Sequence, residues 1–142
     1  MTTVAYSCSF IPCELIAASG LRPLRLRPSL PTGGASGATA GLCLYVEALL
    51  ASAGPADAVI LSTLCDQMRR AAEILPEASG KPVFLLNLPA TWQTRPARDL
   101  YLSELGRLGK FLESLGGLPA DNAPLADVMR DFDHRRGLLR QQ

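Results

Sequence analysis

Four stretches of this chain suit a buried or edge β-strand, and each is followed by a stretch with helical spacing. "TTVAYSCS" is short, apolar and rich in β-formers. "ADAVILST" and "KPVFLLNLP" are apolar enough to be covered on both faces, as strands of a parallel sheet are. "LRPLRLRP" alternates apolar and basic residues and ends on a proline, which suits an edge strand. Between them, "IPCELIAASG", "LCLYVEALLASAG" and "CDQMRRAAEILPEAS" read as helices. Pro12 suits a first helical turn, and Gly20 and Gly54 suit helix ends. Two more helices close the chain. In "RPARDLYLSELGRLGKFLESLGG" leucines recur at helical spacing, at Leu100, Leu105, Leu108, Leu112 and Leu115. "APLADVMRDFDHRRGLLRQQ" is charged and expected to be more exposed. The order β-α-β-α-β-α-β-α-α requires parallel pairing with right-handed crossovers. With the polar strand at an edge, it predicts an α/β fold. This is a flavodoxin-like or Rossmann-like open parallel sheet of about four strands, order 2-1-3-4, with helices on both faces.

The 142 residues are expected to form a single domain, residues 1–142, long enough to bury a core without staples. Hydrophobic residues make up 48% and charged residues 19%, the balance of a globular protein. A net charge of +1 argues against a nucleic-acid partner. No apolar run reaches the ~20 residues of a membrane span, so no membrane role is expected. "MTTVAYSCSFIPCE" has neither a basic region nor a long apolar stretch, which argues against a secretion signal and for the cytoplasm. There, thiols are more often reduced, metal-bound or catalytic than paired in disulfides.

The four cysteines therefore call for an explanation. Open parallel sheets bind ligands at the carboxyl ends of their strands, where the winding reverses. Cys8 ends the first strand, Cys65 follows the third, and Cys43 opens the helix after the second. Cys13 lies in the first turn of the first helix. All four map to one sheet edge. Helix N-termini there favour negative charge, whether a thiolate or an anionic iron–sulfur cluster. The spacings match neither ferredoxins nor zinc ribbons, since no two cysteines lie close enough in sequence. Ordinary burial of a small hydrophobe is the competing explanation. Other features point to less. His134, the only histidine, sits on the charged last helix and reads as solvated. "TGGASG" lacks the lysine of a phosphate loop and reads as a connector. Trp92 is expected to cap the core rather than line a cleft. Arg22, Arg25 and Arg27 are expected to be solvated along the strand edge.

"YSCSFIPCELIAASGLRPLRL" resembles the opening motif of the 2-hydroxyacyl-CoA dehydratase and benzoyl-CoA reductase subunit family. The resemblance rests on Tyr6, Cys8, Pro12, Glu14, Leu15, Ile16, Gly20 and Pro23. "GLCLYVEALL" resembles the family's second cysteine motif, on Cys43. "STLCDQMRRAAEIL" resembles its strand–Cys-Asp–helix segment, on Cys65, Asp66, Arg69 and Arg70. "VFLLNLPATW", the long helix and "DFDHRRGLLR" continue the likeness in order. Cys13 departs from it, standing where the family usually has a glutamate.

The resemblance implies a lyase subunit carrying an oxygen-sensitive [4Fe–4S] cluster, held by three cysteines with one iron open. An ATP-dependent iron–sulfur activator would inject one electron. Reduction of an acyl-CoA thioester to a ketyl radical would then permit dehydration. Cys8 and Cys43 match the first two metal ligands. The third would come from Cys65 or Cys13, or from a second similar domain or homologous subunit, this chain corresponding to the first domain with the second absent. Glu14 and Asp66 would lie in the second shell or on the substrate side. Two other readings of the same half-fold stand beside this one. One is a small electron-transfer or assembly module with all four cysteines closing a [4Fe–4S] cluster. The other is a cluster-free binding domain.

Overall fold

The computed structural model describes residues 1–28, 41–119 and 121–141. The glycine-rich connector falls largely outside these residues. Strands β1 (Thr3–Tyr6), β2 (Arg22–Arg25), β3 (Ala58–Ser62) and β4 (Val83–Leu86) form one parallel sheet in the order β2-β1-β3-β4. The expected topology is the one observed. Every residue of β3 is buried, while the burial of β2 fades toward both ends, as central and edge positions require.

Five helices flank the sheet: α1 (Cys13–Ala18), α2 (Leu44–Ser52), α3 (Asp66–Ser79), α4 (Arg95–Ser114) and α5 (Asn122–Leu139). The alternation of side chains along the strands divides the core into two layers. Ala5, Val59 and Leu61 face Val46 and Leu49 of α2 and Met68, Ala71 and Leu75 of α3. Val4, Ile60, Phe84 and Leu86 face Ile16 of α1 and Leu108 and Leu112 of α4. Helix α5 lies outside α1 and, among its described side chains, buries none completely.

Local chemistry sets the ends of the helices. Pro12 precedes α1, and Gly20, at φ +75°, turns the chain back into β2. Gly117 marks a close approach: a Cβ there would come within 2.8 Å of the Leu112 carbonyl and 3.2 Å of Ser19 and Leu21 side-chain atoms. The α4 exit thereby presses on the end of α1. At the opposite edge from the cysteines, Lys81 Nζ donates to the carbonyls of Ala53, Gly54 and Ala56 at 3.0, 2.6 and 2.5 Å. The three oxygens follow α2; that of Ala53 also accepts the Ala56 N–H at 3.1 Å, while Lys81 supplies a donor to those of Gly54 and Ala56. Lys81→Met is expected to lower unfolding free energy by about 2 kcal/mol, measured by denaturant titration.

Candidate functional site at the carboxyl edge of the sheet

The carboxyl edge collects the loops that follow the strands. Cys8 lies two residues beyond β1, half-buried against the α1/α4 layer, and its sulfur accepts the N–H of Phe10 at 3.4 Å. Cys43 is the N-cap residue of α2 and Cys65 that of α3, and both are exposed. Neither side chain caps its helix, so neither thiol is engaged there. One bond the sequence did not announce holds these two starts together. Gln67, in the first turn of α3, accepts the Cys43 N–H at 2.8 Å through its side-chain oxygen. The fold thus brings Cys8, Cys43 and Cys65 to one edge, from three separate chain segments. Among the described residues, no group of three His, Cys, Asp or Glu side chains is drawn together as a finished metal site.

Cys13 is set apart from these thiols. It is buried in α1, and burial first, then the nearby Glu14 carboxylate, push its thiol up against an opposing hydrogen bond from Tyr6. It stays a neutral thiol, donating to Glu14 Oε2 at 3.4 Å. Glu14 is itself pinned by Arg136 of α5. Burial would raise the Glu14 pKa, but the guanidinium and its other hydrogen bonds outweigh burial and hold it low. Asp66 is fully exposed, 3.6 Å from Arg69 in an (i, i+3) pair. Glu14 and Asp66 stand on helices of opposite layers, so the fold does not join them.

Two cavities open at this edge. The larger, about 660 Å³, is walled by apolar groups including Phe10, Leu64, Leu88, Trp92, Tyr101 and Leu102. The second, about 540 Å³, is more polar and holds Tyr6, Cys13, Glu14, Arg25, Tyr101 and Arg136 among its lining residues. Trp92 is 74% exposed and forms part of a cavity wall, so it does not cap the core as its position after a strand suggested. The turn around it is fixed by the Trp92 carbonyl, which accepts from Arg98, and by the Thr94 hydroxyl capping α4. His134 is exposed on α5, as expected.

Glu104 is the buried charge that leucine periodicity concealed. It is 4% exposed, on the same α4 face as Leu108 and Leu112 at i, i+4 and i+8. That spacing was the available signal. Its oxygens accept the Asn87 N–H at 2.9 Å and Arg107 Nη1 at 2.5 Å, tying α4 to the end of β4. Burial favours the neutral acid, but the Asn87 and Arg107 bonds outweigh burial and depress the pKa. A carboxylate depressed in the folded state adds stability above its unfolded pKa and loses it as pH falls through the folded one. Glu104→Ala is expected to cost about 2 kcal/mol at neutral pH. Denaturant titrations across the acid range should show the gap from wild type closing as pH falls.

The chain is an open parallel α/β domain, with three thiols from three segments at the edge where folds of this class bind ligands. Residues 8–142 match the family described as 2-hydroxyglutaryl-CoA dehydratase, D-component, and the chain belongs to that family. No individual curated protein matches it. The family read from the sequence motifs is therefore the one found, and its description is that of a dehydratase component. No described helix is long and apolar enough to cross a membrane.

Proposed function

We propose that the chain is the iron–sulfur component, or the first domain of one, in a 2-hydroxyacyl-CoA dehydratase-type lyase. The observation that carries the reading is the gathering of Cys8, Cys43 and Cys65 at one sheet edge in a member of this family. The donor set fits a [4Fe–4S] cluster in its chemistry. All three are free cysteines, two are exposed at helix starts, and the third already accepts a backbone N–H. Cys8 and Cys43 would hold the cluster. The third thiolate would be Cys65 or one from a second domain or homologous subunit. Such a cluster, when bound and reduced by an ATP-dependent activator, supplies a single electron to the carbonyl of an acyl-CoA thioester.

The chain's own residues prepare the surroundings. The Phe10 N–H stabilises negative charge on Cys8 sulfur, and Gln67 fixes the start of α2 against that of α3. The apolar cavity beside the Cys8 loop offers an acyl group a wall of Phe10, Leu64, Trp92 and Leu102. Arg136 and the other hydrogen bonds to Glu14 outweigh burial and leave it charged and held rather than poised to exchange protons. Cys13 is buried, unlike the exposed Cys43 and Cys65, which weighs against the closed four-cysteine carrier.

The test is anaerobic reconstitution of the full chain with iron and sulfide, followed by addition of an exogenous ligand such as cyanide. An open iron predicts an altered electron paramagnetic resonance spectrum of the reduced cluster. A spectrum untouched by the ligand would instead favour the closed carrier.

A further inference from the structure

The two cavities share a wall. Phe10 and Tyr101 line both, so an apolar chamber and a polar one adjoin at the end of β1. The polar chamber has a cation with no carboxylate partner. Arg25 lies directly across the ladder from Tyr6, with side chains on the same face, and among the described residues no Asp or Glu oxygen is within 4 Å of it. Arg136 does not compete, because Glu14 and Asp133 already hold it. Within the chamber's lining Glu14 and Arg136 cancel and Arg25 adds one positive charge, Asp133 lying outside that lining. One uncancelled cation beside a carboxylate suits a monoanion better than a dianion. Tyr6 also lines the polar chamber, beside Arg25.

We infer that the adjoining chambers form one site for a small carboxylate with an apolar body, Arg25 holding the anion and the Leu64, Trp92 and Leu102 wall taking the body. The inference goes beyond the dehydratase reading: it shares the apolar chamber with the acyl group of that reading but stands without a cluster, since Arg25, Leu64, Trp92 and Leu102 need none. The guanidinium supplies paired donors matched to a carboxylate. The apolar walls supply contact area for an alkyl or aryl group.

The test is calorimetric titration of the full, iron-free chain with 3-phenylpropanoate, 3-phenylpropanamide and inorganic phosphate. The expected result is saturable binding of the carboxylate in the millimolar range or tighter. Binding of the amide and of phosphate should each be weaker by roughly tenfold or more. Arg25→Met should weaken the carboxylate roughly tenfold and leave the amide unchanged. Arg22→Met, at the far end of the same exposed strand, should leave both unchanged, and circular dichroism verifies that each variant folds. Undetectable carboxylate binding, equal binding of the amide, phosphate binding as tight as the carboxylate, or an Arg25→Met variant indistinguishable from wild type would each overturn the inference.

Discussion

Cys8→Ala and Cys43→Ala are each expected to leave the chain unable to retain iron and sulfide after anaerobic reconstitution, a near-complete loss measured as iron bound per chain after desalting. Neither loss should come from unfolding. Cys43 is exposed at the start of α2, and Cys8 is only half-buried, in a loop beyond β1. Alanine at either place removes a sulfur and little packing. Cys13→Ala should behave in the opposite way. Its thiol is buried in α1 and neutral, so replacement costs about 1 kcal/mol of packing and leaves iron content unchanged. Cys65→Ala separates two arrangements of the third ligand. Iron lost as in Cys8→Ala places that ligand in this chain. Iron retained in complex with a second domain or subunit places it there. Iron lost from Cys13→Ala as completely as from Cys8→Ala would contradict the assignment.

The largest effect on stability is expected at the α4 face that supports the edge. Leu108 and Leu112 are fully buried against Ile60, Phe84 and Leu86. Leu108→Ala should lower unfolding free energy by about 3 kcal/mol, the transfer of the removed methyl groups plus an unfilled cavity. Leu102→Ala, on a residue 64% exposed at the cavity rim, should change it by less than about 0.5 kcal/mol. Urea titration of the two variants checks both values. A comparable loss from both would mean that the start of α4 is covered rather than open.

These two leucines show how far sequence reading reached. The apolar runs of β1, β3 and β4 and the basic edge strand carried enough burial information to give the sheet order. Alternation between two covered faces leaves few other arrangements. The helical stripe Leu100–Leu115 was legible as a period but not as a buried length. Leu100 is 45% exposed, because α4 begins beyond the sheet, where the turn around Trp92 opens a cavity instead of closing the core. Glu104 occupies the same stripe and reads as a surface charge until the Asn87 N–H that it accepts is known. Among the candidate site residues, the positions of Cys8, Cys43 and Cys65 followed from topology alone, since a strand end or helix start fixes an edge. The Gln67 tie between α2 and α3 joins residues 24 apart in sequence, and no local pattern announces it. The opposed settings of Glu14 and Asp66 likewise depend on which layer each helix joins, a property of crossover handedness rather than of either motif.

Mössbauer spectroscopy of the full chain, reconstituted anaerobically with iron and sulfide, decides whether these thiols hold a cluster. The expected spectrum is that of iron in the delocalised mixed-valence state of a [4Fe–4S] cluster. That signal should be absent from the variant in which Cys8, Cys43 and Cys65 are all alanine. A wild-type spectrum showing only mononuclear high-spin iron, in the same amount as the triple variant, would contradict it.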